Sequence, residues 1–333
     1  MTDGQSLRAA QLGTILVTGA CGFIGANICR YFAGRGVSVC AIDGPSGSDW
    51  RLKGAPSMKR VKLDLRSRAD VRDIIASERP AVVINCAAYG AYPVQSDPDR
   101  IYDVNFNAVR YLIESVQEQP GFVAFIQAGS SSEYGLNCAG PEETSATLPD
   151  SHYAVSKVSA SALTQLYGMK YRFPAWTFRL YSVYGPYEDF SRLIPKLLLC
   201  ARQGKLPDLV DPTISRDFVF VEDVCRAIEL LLVQASDLKR GEIYNIGTGV
   251  KTTIGDLVAV VRQVFGVEDE PVWGSMRNRH WDHPDWFSDS RKAKRDLRWT
   301  ATTPLSDGLS TTMRWLETNA AAVAEGQRSS VKS

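Results

Sequence analysis

Histidine is scarce in this chain, and its cysteines form no recognisable pattern. Three histidines occur in 333 residues, and two of them, His280 and His283, share one loop. That loop reads as polar surface, and no metal site is expected. The seven cysteines are odd in number and scattered through apolar stretches, with no C-x-x-C pair. A disulfide frame is therefore not expected, and reduced thiols in a cytoplasmic protein are. No apolar run approaches the ~18 residues of a membrane span. A net charge of +1 argues against a broad electrostatic surface for nucleic acid or membrane, while leaving room for local basic pockets. Internal repeats and low-complexity linkers are missing too. Residues 1–11 lack the apolar middle of a signal peptide. They and residues 320–333 are expected to be loose tails.

What is present begins with a fingerprint. An apolar run, Thr14 to Thr18, meets Gly19-Ala-Cys-Gly22-Phe23-Ile24-Gly25 and then a helical pattern. Gly19 suits a tight turn, Gly22 lets backbone N–H groups approach a pyrophosphate, and Gly25 lets the helix close on the sheet. The helix start offers unpaired N–H groups and a partial positive charge to that anion. Asp43 closes the next apolar run, where a dinucleotide ribose is bound in such folds.

The first half alternates strand-like and helix-like segments, the rhythm of a parallel sheet covered on both faces. Expected strands are 14–18, 37–42, 61–63, 81–85, 123–128, 176–180 and 242–246. Expected helices lie near 23–33, 69–77, 104–117, 153–171 and 222–234. Beyond about residue 182 the rhythm breaks into loops rich in Pro, Tyr and Trp. The fold class is α/β: a Rossmann doubly wound parallel sheet with a smaller carboxy-terminal substrate-binding domain. The first is expected over 12–182 plus about 217–247, the second over 183–216 and 248–318.

Tyr153 and Lys157 stand one helical turn apart on one face. A free tyrosine titrates near pH ~10. A neighbouring ammonium favours the phenolate and makes it a usable base at neutrality.

With these residues the chain resembles the extended short-chain dehydrogenase/reductases, in particular the nucleotide-sugar epimerase/dehydratase group. The likeness runs from Thr14 to about Trp315. It rests on the glycine motif, Asp43, Asp64-Leu65, Asn85-Cys-Ala-Ala88, Asn105, Gly129-Ser-Ser-Ser-Glu-Tyr-Gly135 and Tyr153 with Lys157. Arg179-Leu-Tyr-Ser-Val-Tyr-Gly-Pro186, Arg192-Leu-Ile-Pro195 and Arg216-Asp-Phe-Val-Phe-Val-Glu-Asp223 complete it.

The resemblance implies that Ser130 joins Tyr153 and Lys157 as the catalytic set. It also implies that Asp64 and Leu65 bracket an adenine, that Ala87 and Ala88 run behind the cofactor, and that Lys157 binds the nicotinamide ribose. A carboxylate at Asp43 accepts ribose hydroxyls and repels a 2′-phosphate, so the cofactor is expected to be NAD, with nearby Arg51 a possible counterweight. Ser131, Ser132, Tyr181, Arg192, Leu193, Arg216 and Arg277 or Arg279 are the candidates for a nucleotide diphosphate sugar. Trp273, Trp281 and Trp286 are expected to fill the core of the smaller domain.

Sugar 4,6-dehydratases of this group place acidic residues just after the catalytic hydroxyl, where this chain has Ser131 and Ser132. Glu133 follows one position late: an extended chain would put it on the other face and a local bulge would bring it back, so dehydration is disfavoured rather than excluded. The expectation is therefore a C4 epimerase with bound NAD. A 4-keto-sugar reductase is the first alternative, a dehydratase the second, and a non-catalytic NAD-binding regulator a reading from outside the enzymes. The helices near 104–117 and 153–171 resemble the pair that builds an intersubunit bundle in relatives, so a homodimer is expected.

Overall fold

The computed structural model describes residues 13–276 and 284–330. Seven strands build its main sheet: β1 (Ile15–Thr18), β2 (Val39–Asp43), β3 (Lys59–Lys62), β4 (Val82–Asn85), β5 (Ala124–Ser130), β6 (Ala175–Leu180) and, late in the chain, β10 (Ile243–Ile246). All are parallel, in the order β3-β2-β1-β4-β5-β6-β10. All seven expected strands are found. Strands β1, β4, β6 and β10 are buried along their whole length, as a sheet covered on both faces demands.

On one face, α1 (Phe23–Ala33), α7 (Val221–Gln234) and α9 (Arg291–Leu297) enclose a core that includes Ile28, Phe32, Ile228, Leu231 and Leu297. On the other, α2 (Arg68–Glu78), α4 (Ala108–Val116) and α5 (His152–Lys170) enclose Val71, Ile75, Leu112 and Ala160. Strand order reverses between β1 and β4, and the crevice at their carboxyl ends is where such sheets bind ligands.

Shorter elements assemble a second core. Strand β7 (Ser182–Tyr184) pairs with β9 (Phe218–Phe220), and β8 (Ser215–Arg216) with β11 (Thr252–Thr253). Helices α6 (Leu193–Ala201), α8 (Ile254–Phe265) and α10 (Leu305–Thr318) pack around Leu197, Leu257, Val261 and Leu309.

Two expectations need correction. The helix expected near 104–117 is interrupted: α3 (Pro98–Tyr102) runs into a π-turn at Asp103–Asn107 before α4. The wide turn turns Asn105 inward, where it exchanges hydrogen bonds of 2.8 Å with both the N–H and the carbonyl of Tyr89. The expected tail 320–333 contains a helix, α11 (Ala320–Ser330), whose Val323 is buried. Its sequence is nearly all small and polar, so its order comes from tertiary contact rather than from an apolar stripe. Among the described residues no helix is long and apolar enough to cross a membrane.

One contact fixes how deeply α5 sits. A methyl group at Gly168 would lie 2.2 Å from the Gly241 nitrogen and 2.3 Å from its Cα. Since backbone cannot yield as a flexible side chain can, Gly168→Ala should destabilise the fold by about 1–3 kcal/mol. Thermal or urea unfolding would measure this, and an unchanged midpoint would mean that α5 is free to shift.

Candidate active site

The glycine motif forms a cradle with no space for side chains. Gly19 has φ +64°, and a Cβ there would stand 2.7 Å from the Ala87 nitrogen. A Cβ on Gly25 would meet the Gly19 carbonyl oxygen at 2.3 Å. Helix α1 starts at Phe23 with Gly22 as an N-cap that has no side chain to offer. The first-turn N–H groups, those of Phe23, Ile24 and Gly25, are thus available to an anion at the crevice. These residues fit a dinucleotide diphosphate.

Asp43 ends β2 beside this cradle. Burial holds its carboxyl above the usual carboxylate range, and Lys62, 3.7 Å away, pulls in the opposite sense. Arg51 does not turn its donors to that carboxylate. Its Nε donates to the Tyr187 carbonyl at 2.7 Å and its Nη1 to the Cys21 carbonyl at 3.2 Å, while Nη2 stands 3.8 Å from Asp189. Asp64 is held by Arg66, which donates to both carboxylate oxygens at 2.7–3.1 Å and keeps its pKa low. Leu65 and Ala87 are buried, and Ala88 is exposed.

The candidate catalytic residues converge where α5 passes β5. The Lys157 ammonium is buried and donates to the carbonyl of Ala128, two residues before Ser130, at 2.9 Å. It lies 5.7 Å from the centre of the Tyr153 ring. The Ser156 hydroxyl receives a bond from Asn105 at 2.9 Å and donates to the Tyr153 carbonyl at 2.7 Å. The π-turn thereby grips the first turns of α5. Ser130 Oγ accepts from the N–H of Ser132 at 3.2 Å and from its hydroxyl at 2.8 Å. With both lone-pair directions engaged, the Ser130 proton remains to be donated outward.

Glu133 is not in extended chain. Strand β5 stops at Ser130, and the chain tightens into a 3-10 turn, Ser131–Tyr134, closed by a reciprocal cap between Ser130 and Glu133. One Glu133 oxygen accepts from the Ser130 N–H at 2.9 Å, and the other from Arg179 Nε at 2.8 Å. Both side chains of this pair are almost fully buried, at 0% and 5% exposure. A Cβ on Gly129 would lie 2.6 Å from Glu133 Oε1, so that glycine makes room for the carboxylate. Arg179 opens the segment Arg179–Pro186, and no local pattern pairs it with Glu133, 46 residues away.

The next serines serve neighbours. Ser131 Oγ accepts from Trp286 Nε1 at 3.1 Å, and the Trp286 N–H donates to Ser215 Oγ at 3.0 Å. Trp286 packs with Tyr134, Cys138 and Tyr181 in a small buried cluster, apart from the second core that it was expected to fill. Tyr181 is buried, and its hydroxyl finds no partner among the described residues.

Three segments meet at Asp217, which is fully buried and accepts from Thr248, Gly249 and Ser288 at 2.6–3.1 Å. Next to it, Arg216 stands 5.2 Å from the Trp286 ring and donates to the Ser215 carbonyl. Arg192 donates to the Ala91 carbonyl at 3.0 Å and lies 4.4 Å from the Tyr92 ring, with Leu193 half-buried beside it. Arg277, Arg279, Trp281, His280 and His283 lie outside the described residues. Among the described residues no group of three or more His, Cys, Asp or Glu side chains could hold a metal ion.

Comparison with known proteins places this geometry. A family model described as the NAD dependent epimerase/dehydratase family matches residues 15–247. A trifunctional UDP-glucose 4,6-dehydratase/UDP-4-keto-6-deoxy-D-glucose 3,5-epimerase/UDP-4-keto-L-rhamnose-reductase of Arabidopsis thaliana is 28% identical over 330 residues, covering 92% of this chain. The chain spans 47% of that relative's own length. A UDP-glucose 4-epimerase of Thermotoga maritima, solved with UDP-glucose, superposes with a TM-score of 0.82 at 26% identity, covering 92% of this chain and 99% of that one. The UDP-glucose 4-epimerase of Thermus thermophilus, solved with NAD, gives a TM-score of 0.78 at 26% identity over 91% and 99% of the two chains. On this match and this cradle, the chain belongs to the NAD-dependent epimerase/dehydratase family.

Proposed function

We propose that this protein is a nucleotide-sugar epimerase that inverts C4 through a transient 4-keto sugar, with NAD held throughout. The observation that carries the reading is the arrangement after Ser130. The two places where a dehydratase would need acids hold Ser131 and Ser132, and Glu133 is consumed by Arg179 and the Ser130 N–H. Nothing there is available to move protons at C5 and C6. The Arabidopsis relative's name includes a 4-keto reductase, and that remains the second reading. Asp43 at the ribose position favours NAD over NADP and tilts the choice to the epimerase.

Bound NAD supplies a hydride acceptor that can return what it took. Around it, Tyr153 removes the proton of the C4 hydroxyl, with the Lys157 ammonium 5.7 Å from the centre of its ring. Ser130 donates its remaining proton to the same sugar oxygen and steadies the developing carbonyl. One Lys157 proton is engaged by Ala128, leaving two for the ribose. Arg216, held beside the Asp217 anchor, and Arg192 are the side chains proposed to meet the diphosphate. Arg192 would have to exchange its bond to Ala91 to do so.

We also infer a homodimer. Val155, Ala162, Leu166 and Met169 follow one helical face of α5, and all are exposed rather than laid on the sheet. A monomeric mass at micromolar concentration would contradict this.

The reaction is tested with a panel of UDP-, GDP-, CDP- and dTDP-hexoses in heavy water, followed by NMR. Interconversion of C4 epimers without added reductant and without solvent deuterium in the sugar is expected. Deuterium at C5 would mean dehydration, and consumption of NADH or NADPH with a 4-keto sugar would mean reduction. Tyr153→Phe should lower turnover by ~10²–10⁴-fold. Near-normal turnover in that variant would assign the base elsewhere. Glu133→Ala should instead act on stability, because it strands a buried guanidinium, at a cost of about 3–5 kcal/mol. Lost turnover with an unchanged unfolding midpoint would return Glu133 to the chemistry.

A further inference from the structure

We propose that Arg51 is a clasp across the dinucleotide crevice, which keeps NAD resident between turnovers. The proposal rests on the cofactor reading above, and its test follows cofactor release with no sugar present.

Arg51 belongs to a short 3-10 turn, Trp50–Leu52, that follows β2. Its side chain is only 12% exposed and joins three segments that sequence leaves far apart. Toward the cradle it donates to the carbonyl of Cys21, inside the glycine motif. Toward the second core it donates to the carbonyl of Tyr187 and pairs with Asp189. A parallel tie runs from α1, where Asn27 Nδ2 donates to the Pro186 carbonyl at 3.0 Å. The glycine motif, through Arg51, and helix α1, through Asn27, are thus each tied to segment 186–189, and in the proposed clasp a dinucleotide leaving the crevice parts these ties. Bonds to a charged donor in a site of low exposure are stronger than those in open water, since water competes poorly there.

The clasp is braced from behind. Trp50 is buried, stacks on Phe190 at 6.0 Å and 26°, and lies 4.5 Å beneath the Arg51 guanidinium. Tyr187 has φ +70°, a left-handed backbone for a residue with a side chain, held between Arg30 at 4.3 Å and Trp315 at 4.6 Å. Helix α11 closes the outside: a Cβ on Gly326 would lie 2.8 Å from the Trp50 ring, and Lys53 pairs with Glu325 at 2.7 Å. Such bracing suits a guanidinium that must hold its geometry while a ligand stays bound. It also leaves Arg51 poorly placed to serve as a ligand for a 2′-phosphate.

The experiment loads wild-type protein, Arg51→Ala, Arg51→Lys and Asp189→Asn with radiolabelled NAD and chases with excess unlabelled NAD. Circular dichroism confirms which variants are folded, and Asp189→Asn, which keeps both carbonyl bonds, is the fallback should Arg51→Ala not fold. Release from Arg51→Ala should be faster by ~10-fold or more, with smaller increases for Arg51→Lys and Asp189→Asn. Turnover of Arg51→Ala should become dependent on added NAD where wild type is not. Folded variants that release NAD at the wild-type rate would overturn the clasp while leaving the epimerase reading intact. A loss of NADP affinity with unchanged NAD release would overturn it in another way, making Arg51 a phosphate ligand. Wild-type protein that retains no NAD at all would remove the cofactor reading together with the clasp.

Discussion

The site depends on one buried charge. An ammonium taken out of water is costly unless paired or hydrogen-bonded, and Lys157 meets that demand at the carbonyl of Ala128. The bond fixes α5 against β5, with Tyr153 one turn earlier on the helix and Ser130 two residues further along the strand. Other features hold the same register. Gly168 admits the Gly241 backbone near the far end of the helix, and the Asn105–Ser156 bond steadies its beginning. The buried ammonium therefore positions the helix that carries the phenol.

Beside this centre, the polar side chains that follow Ser130 are already engaged. The carboxylate nearest Ser130 in sequence is enclosed with Arg179, and its other oxygen closes the turn. Ser132 supports Ser130, and Ser131 holds the indole of Trp286. The three serines thus have separate tasks, and none supplies an acid. In the proposed epimerase such a site passes a proton and a hydride at one carbon, while the one carboxylate of this turn is already engaged. This is the physical content of preferring epimerisation to dehydration.

Much of this was legible in the sequence because it depends on local rules. Continuous apolar runs marked the strands, and glycine spacing marked the cradle, whose crowding is backbone against backbone. Tyr153 and Lys157 were legible because helical spacing puts them on one face and the motifs around them repeat those of a known family. Long-range pairing was not. The spacing Ser130-x-x-Glu133 is a local capping pattern, but nothing local shows that the other carboxylate oxygen will meet Arg179. Arg51 looked like a counterweight to Asp43, yet its partners are carbonyls at positions 21 and 187. Helix α11 has almost no apolar stripe and is ordered by Trp50, some 270 residues earlier. Asp217 was quoted within a motif, but its role as an anchor for three segments depends on where loops 247–249 and 286–289 come to rest.

The central claim is that hydrogen leaves C4 and returns to the same carbon within one closed site. A crossover experiment tests it most directly. An equimolar mixture of two molecules of the same nucleotide sugar, one carrying both ¹³C and deuterium at C4 and the other unlabelled, is taken to epimeric equilibrium and analysed by mass spectrometry. The account predicts that deuterium stays with the ¹³C molecules. Deuterium appearing in unlabelled sugar, or in cofactor free in solution, would contradict it.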